Sequence, residues 1–299
     1  DYTKYVPRDI PNKDWEIWGS HYILAKPDVY PIKTYTQFFE EKPDSSKEEK
    51  RIDPVSTLLE GFGKFGPGEQ LWIQIEAKPV WTSKDWYDYD YVSKGRQEAD
   101  KLAKRPEKTK AKSIFREAAD QLILGKPPGV EEKEEEPMIP VEMRLTPGEK
   151  DMLTGVEQKI SKRGFICYIR FIYLAKREVY FGGAKAIPFG FFNQFSTDNL
   201  NALRPWTQTL TKTKKNLIFL PANIVRNRRT YVKKRRLFFR YINRFDPLFP
   251  RPSGKSNFLL NTEELATIFH FPGRTVAASP YLSRLGAKKG GAPADLPVE

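Results

Sequence analysis

The chain has 299 residues, with 51 Lys and Arg against 38 Asp and Glu, a formal net charge of +13 and 39% hydrophobic residues. Six Trp, 14 Tyr and 20 Phe supply enough large apolar side chains for one or two hydrophobic cores, which excludes a globally disordered chain. A single cysteine, Cys167, excludes an internal disulfide, and this count fits a reducing compartment. The apolar neighbours of Cys167 indicate a buried thiol. No run approaches the roughly 18 apolar residues of a membrane span.

The first 80 residues show the pattern of a strand, a helix and a second strand. Aromatic and β-branched residues predict a strand from Trp15 to Lys26. Asp53 followed by Pro54 is typical of an N-cap and first turn, so a helix begins there, and Gly66-Pro67-Gly68 ends it. A strand is predicted over residues 71–75. These elements form a first α+β half, residues 1–80.

A similar order recurs in residues 141–203. Thr146-Pro147 opens a predicted helix, Arg163-Gly164 ends it, and a strand follows from Phe165 to Leu174. The two helices align with a shift of 94 residues and the two strands with a shift of 96, so the segments look like one repeat. We therefore predict an α+β fold with two related ferredoxin-like helix-strand halves packed together.

The remaining segments divide by composition. Residues 81–140 form a predicted charged helical insertion or linker, with a helix over residues 109–124. Its acidic run at residues 131–136 is interpreted as a solvated linker, and a partner-binding or autoinhibitory tail is the alternative. After the second half we predict a basic helical segment (204–251), a strand-helix segment (252–285) and a linker to a missing downstream domain (286–299).

The excess positive charge is concentrated in the basic segment. Residues 204–251 contain 14 Lys and Arg and one acidic residue, Asp246, so the rest of the chain is electrically neutral. Residues 223–245 contain neither Pro nor Gly and predict one long helix. Its apolar side is predicted to carry Ile224, Tyr231, Phe238, Ile242 and Phe245. The other side carries a stripe of six cations, namely Arg226, Arg229, Lys233, Arg236, Arg240 and Arg244.

Three interpretations of this basic stripe remain open on the sequence. A rigid row of cations can contact successive phosphates without reading base sequence, which makes the six residues candidates for nucleic-acid binding. A basic amphipathic helix can also lie on an anionic membrane surface. The third interpretation is a solvated face, although like charges three or four residues apart slightly destabilise a helix.

Catalytic and metal-binding motifs are missing from the sequence. Gly254-Lys255-Ser256 lacks the glycine that a phosphate-binding loop has five positions earlier, where Phe249 stands. Two separated histidines, His21 and His270, and one cysteine do not make a metal site or a catalytic triad. We therefore expect no enzyme activity, metal or cofactor in this chain, and we expect His270 to cap or pack a helix end.

Several strings resemble one bacterial protein family. The longest, residues 257–273, predicts a strand end and then a helix capped by Asn261 or Thr262, with an apolar face of Leu265, Ile268 and Phe269. The others are residues 30–35 (YPIKTY), 68–74 (GEQLWIQ), 195–201 (FSTDNLN) and 288–297 (KKGGAPADLP). Together they resemble the region ahead of the motor domain in conjugative DNA-transfer coupling ATPases of type IV secretion systems, as found in candidate-phyla bacteria.

This resemblance implies a non-catalytic accessory region of a DNA-translocating ATPase. Proteins of this family have a membrane-anchored N-terminal region and a hexameric motor. The implied partners are DNA, other subunits of the same protein, and secretion-channel components or an anionic membrane surface. ATP and Mg are expected only in a motor domain beyond residue 299. The implied location is cytoplasmic, at the inner face of the cell membrane. The alternative function is a membrane-surface or secretion-channel docking module with no direct nucleic-acid contact.

Overall fold

The computed structural model describes residues 6–38, 53–80, 90–103, 105, 145–212, 220–245 and 257–271. In this part of the chain the elements are, in order, β1 (Trp15–Leu24), α1 (Pro54–Phe62), β2 (Glu69–Pro79), α2 (Tyr91–Leu102), α3 (Pro147–Ile160), β3 (Gly164–Lys176), α4 (Ala186–Asn193), β4 (Leu203–Pro205), α5 (Leu220–Ile242), β5 (Phe258–Asn261) and α6 (Thr262–Ile268). Short 3-10 turns occur at Tyr35–Gln37 and Gly182–Lys185.

The five strands form one antiparallel sheet in which β3 is central. The order is β2-β3-β1-β4, and β5 pairs with the first residues of β3 beyond the end of β1. The β1–β3 ladder runs from Trp15 opposite Lys176 to His21 opposite Arg170. The predicted α+β class, with helices packed on an antiparallel sheet, is confirmed.

Local capping residues fix the starts of three helices. The Asp53 carboxylate accepts a hydrogen bond from the Val55 N–H at 2.8 Å, and Pro54 is the first residue of α1. Thr146 and Glu149 form a capping box at α3, and Asn261 and Glu264 form another at α6. Each cap satisfies backbone N–H groups that have no partner inside the helix. The predicted helix starts at Asp53-Pro54 and Thr146-Pro147 are confirmed.

The two faces of the sheet bury two hydrophobic clusters. Alternate residues of β3, among them Cys167 and Phe171, point into the larger cluster together with Phe192 of α4 and Ile268 of α6. The intervening residues Ile172 and Leu174 point into a second cluster, which β1 and α5 complete with Ile17, Leu237 and Phe238. Cys167 is buried as predicted, and burial raises the pKa of its thiol to about 12.

The structure differs from the repeat alignment in its helices. The alignment pairs α1 with α3, but α1 contacts α4 whereas α3 packs against α2. Within the described chain, α3 contributes no side chain to either hydrophobic cluster. The two strands that the alignment superposes, β2 and β3, are antiparallel neighbours in the sheet. At one position, Gln74 and Arg170, the superposed residues also face each other in the β2–β3 ladder.

Two other sequence predictions need correction or fall outside the described residues. Helix α2 lies within the predicted insertion and was not expected there. Phe269 was placed on the apolar face of α6, but the helix ends at Ile268, and Phe269 has extended backbone and is 61% exposed. The predicted helix at 109–124, the acidic run at 131–136, residues 254–256 and the linker 286–299 lie outside the described residues.

Candidate anion-binding surface on helix α5

Helix α5 is held against the sheet by a small set of contacts. Leu237 and Phe238 are buried in the second cluster. A Cβ atom added to Gly19 of β1 would lie 2.9 Å from Leu237 Cδ2, so the glycine permits the close approach of helix and strand. Lys234 Nζ donates to Glu16 Oε1 at 2.7 Å. These contacts fix the orientation of the helix and therefore the direction of its other side chains.

Nine cations and no acidic residue lie between Arg226 and Arg244. Five of them are exposed, namely Arg228, Arg229, Arg235, Arg236 and Arg244, and four are half-buried, namely Arg226, Lys233, Lys234 and Arg240. Among the residues whose side chains are described, Lys234 is the one member of this set that forms an ion pair with another described residue. The other eight are therefore candidates for an anionic ligand.

The six cations predicted from sequence lie along one flank of α5. Five of them, from Arg226 to Arg240, are spaced three or four residues apart, which places them on one side of the helix. Arg244 follows the last helical residue and has a left-handed φ of 53°. From Arg226 to Arg244 the row extends over roughly 27 Å at the α-helical rise per residue. It thus follows one edge of the packed helix.

The predicted apolar side of α5 is rotated relative to the buried side. Phe238 is buried as expected and Ile242 packs against the second cluster, but Tyr231 and Phe245 are exposed and Leu237 is buried instead. The side chain of Ile224 lies outside the described residues. Because the successive residues Leu237 and Phe238 are both buried, the buried side is centred between them. This centre lies roughly 50° from the line through Phe238, half of the 100° step between successive helical residues. The basic stripe consequently borders the sheet instead of pointing directly away from it.

A buried arginine anchors the chain at the end of α5. Arg170 of β3 is fully buried, forms an ion pair with Glu76 and donates to the side-chain carbonyl of Gln74. Its Nη1 donates to the backbone carbonyl of Phe245 at 2.7 Å. The guanidinium carbon lies 4.9 Å from the centroid of the Tyr168 ring and 5.5 Å from the centroid of the Tyr241 ring of α5.

Sequence reasoning missed this network, although one signal was present. Arg170 interrupts an otherwise apolar strand, and a buried arginine requires hydrogen-bonding partners on neighbouring strands. The network makes Arg170 one of the residues that connect the sheet to the α5 segment.

His21 extends the same network and is neutral at neutral pH. Its Nε2 lies 2.8 Å from the Tyr168 hydroxyl. Burial is the main cause that lowers the pKa of His21 to about 3, and the nearby charges of Arg170 and Arg240 contribute to this lowering. Partial burial also lowers the pKa of Arg240, but an arginine remains protonated near neutral pH. His21 is therefore a packing residue without the proton affinity of a general base.

A separate polar cluster lies beside a cavity of about 440 Å³, where α3 meets α6 and the segment from Pro31 to Gln37. Lys159 is buried at its floor and donates to the Leu259 carbonyl at 2.9 Å and to Glu264 at 3.1 Å. Glu264 also accepts from the Ile32 N–H at 2.8 Å. Because these charges satisfy one another, the cluster joins distant segments of the chain and does not present a free reactive group.

His270 fulfils the packing role predicted for it. Its Nδ1 lies 2.8 Å from the Ala266 carbonyl of α6, and its Nε2 lies 3.0 Å from the Asp53 carboxylate that caps α1. In the described ranges, no group of three or more His, Cys, Asp or Glu side chains could hold a metal ion. No helix in those ranges has the length and apolarity that crossing a membrane requires.

Comparisons with protein-family models, with curated proteins and with solved structures found no match. The geometry of α5 and the resemblance of the sequence strings are therefore the two grounds for assigning a function to the chain.

Proposed function

We propose that the chain is a non-catalytic accessory region of a conjugative DNA-transfer coupling ATPase of a type IV secretion system, in which α5 provides a basic polyanion-binding surface. One observation carries the proposal: eight cations of the α5 segment have no described acidic partner. They project from a helix that is packed on the sheet through Leu237 and Phe238. Such a surface can meet an anionic ligand without reorganising the fold.

The phosphate backbone of DNA fits the chemistry of this surface best. Cations at three- and four-residue spacing repel one another, and an anionic ligand removes that repulsion. Phosphate contacts need a row of cations and no base-reading code. The candidate contacts are the predicted six: Arg226, Arg229, Lys233, Arg236, Arg240 and Arg244. All six candidate positions are Lys or Arg, which suits contacts to successive phosphates, so binding should be independent of sequence.

The proposed fold assignment explains why the helix is available. The two ferredoxin-like halves, predicted at residues 1–80 and 141–203, would be β1-α1-β2 and β3-α4-β4, with α4 in place of the predicted helix α3 and with β4 ending at Pro205. The contact between α1 and α4 and the strand order β2-β3-β1-β4 support this assignment. Two helices then cover one face of the sheet, and the other face is left for α5.

In the proposed protein, this region would be one part of a larger assembly. ATP and Mg would be bound by a motor domain downstream, and other subunits of the same protein would be neighbours in a homo-oligomer. The region would lie in the cytoplasm at the inner face of the cell membrane. The alternative is a docking module for the membrane surface or the secretion channel, and the exposed apolar side chains of α5, such as Phe239, favour it.

An electrophoretic mobility shift assay tests the function directly. We expect the chain to retard duplexes of unrelated sequence with equal affinity, and the affinity to fall steeply with salt. Binding that depends on base sequence, or the absence of binding at low salt, would contradict the proposal. A parallel ATPase assay should show no turnover above a blank.

A further inference from the structure

The solvent side of α5 carries a line of apolar side chains that phosphate binding does not explain. Val225, Val232 and Phe239 are spaced seven residues apart, so they lie on one line along the helix. The line is nearly opposite Leu237 and Phe238, which face the sheet. Val225 is 43% and Phe239 55% exposed, and Val232 between them is half-buried. We call Val225, Val232 and Phe239 the apolar seam.

Exposed arginines border the seam on both sides. Arg228 and Arg235 follow Val225 and Val232 by three residues, and Arg229 and Arg236 follow them by four. On a helix these positions flank the seam to the left and to the right. The surface is therefore a narrow apolar line between two pairs of guanidinium groups, with no acidic residue in the segment.

The aromatic end of the seam is anchored to the sheet. The ring of Phe239 packs edge to face with that of Phe245, with ring centroids 5.9 Å apart. Phe245 is itself exposed, while its backbone carbonyl accepts a hydrogen bond from the buried Arg170. Two apolar rings are thus presented to solvent from a position that the fold holds in place.

We propose that the apolar seam docks α5 on an anionic lipid surface, with the helix axis parallel to the membrane plane. Phe239 and the valines would enter the boundary between head groups and acyl chains. The flanking arginines would extend sideways to the lipid phosphates, as long cationic side chains do at membrane interfaces. In this orientation the apolar seam and the flanking arginines would both contact the lipid.

Nucleic acid accounts for the seam less well than lipid does. Valine side chains offer no ring on which a base can stack and no group that binds phosphate. DNA contacts can be made by the cations at the flank, such as Arg226, Lys233 and Arg240, without the seam. Lipid docking therefore gives the membrane-surface alternative a defined set of contacts, and either lipid docking or DNA binding can fail without the other.

Vesicle flotation with the full chain tests the inference. We expect flotation with vesicles of phosphatidylcholine and phosphatidylglycerol, and little with phosphatidylcholine alone. The seam variant Val225→Ser/Val232→Ser/Phe239→Ser keeps every cation, and its partition should fall about tenfold or more. Phe271→Ser is the matched control because Phe271 is 88% exposed and lies outside α5. Circular dichroism and a duplex mobility shift, both unchanged, would show that the seam variant is folded.

A labelled variant keeps the test independent of folding losses. Cys167 is buried, so a polarity-sensitive dye attached to the variant Phe239→Cys reports on the seam alone. A blue shift of the dye on adding phosphatidylglycerol vesicles supports docking, and an unchanged spectrum overturns it. Flotation that survives in the folded seam variant, or that the control loses equally, also overturns it. Binding only to an acidic protein partner, without vesicle binding, would replace the lipid assignment. Failure of the mobility shift alone would count against the proposed DNA contact and leave lipid docking intact.

Discussion

Replacing Arg170 with Met should destabilise the fold more than any loss of a surface ion pair. The Arg170 guanidinium is fully buried and holds three partners: Glu76, Gln74 and the Phe245 carbonyl. Methionine fills much of the same space but donates no hydrogen bond. The substitution removes the cation from Glu76 and the donor from the carbonyl after α5, so the sheet loses one of its polar connections to the α5 segment, and the Lys234–Glu16 ion pair remains.

The size of the effect follows from burial on the two sides of the ion pair. Breaking a buried pair by removing one partner costs about 3–5 kcal/mol. The Glu76 side chain is 23% exposed, so its carboxylate can regain some water after the substitution. We therefore expect a loss near the lower end, about 3 kcal/mol in the free energy of unfolding.

Urea denaturation followed by tryptophan fluorescence measures this loss. Arg177→Met is the matched control, because Arg177 pairs with Glu16 at 3.1 Å but its side chain is 49% exposed, and exposed pairs contribute about 0–1 kcal/mol. Adding Glu76→Gln to Arg170→Met should recover part of the loss by removing the carboxylate charge that the Arg170 guanidinium balances in the native chain. A loss for Arg170→Met no larger than that of the control would refute the role assigned to this residue.

Three further predictions concern the core around α5 and β3. The His21 pKa is lowered to about 3 from 6.5, so between these pH values the unfolded chain binds the extra proton and stability falls as the pH falls. Between pH 7 and 5 the fall is about 2 kcal/mol, and urea titrations of His21→Gln should lack it. Gly19→Val would force its side chain against Leu237 and the Phe171 carbonyl, so the same assay should show a loss of about 2 kcal/mol or more, and an unchanged stability would contradict the packing. The buried thiol of Cys167 should react with a thiol reagent only in denaturant, and rapid labelling of the native chain would show that β3 is not packed as described.

Local signals in the sequence predicted the elements of the fold well. Asp53-Pro54 and Thr146-Pro147 combine a side-chain cap with a proline in the first turn, and both mark helix starts in the structure. The strands around Trp15 and Phe165 were recognisable because aromatic and β-branched residues fill a pleated, buried surface. Such signals depend on neighbouring residues alone, which is why one sequence suffices to read them.

Features that depend on distant contacts were predicted poorly. The apolar pattern of α5 gives a helical period, but only the contact of Leu237 with Gly19 decides which side is buried. Leu237 was therefore not expected to be buried, whereas Tyr231, which lies on the same line of the helix as the buried Phe238, was expected to be buried but is exposed. Lys159 and Glu264 are 105 residues apart in the chain, and neither carries a local sign of its buried partner. Composition and spacing were enough to select the six cations as candidates, whereas the partners of the buried Arg170 lie elsewhere in the chain and were not predicted.

The salt dependence of duplex binding by a stripe variant tests the central claim most directly. Each neutralised phosphate contributes roughly −0.9 to the slope of log affinity against log salt. The variant Arg229→Gln/Lys233→Gln/Arg236→Gln should be folded and show a slope shallower by up to about 3. The variant Lys13→Gln/Lys150→Gln/Arg163→Gln removes the same charge from exposed positions outside α5 and should keep the wild-type slope. An unchanged affinity and slope in the folded stripe variant would contradict the assignment of α5 as the DNA-binding surface.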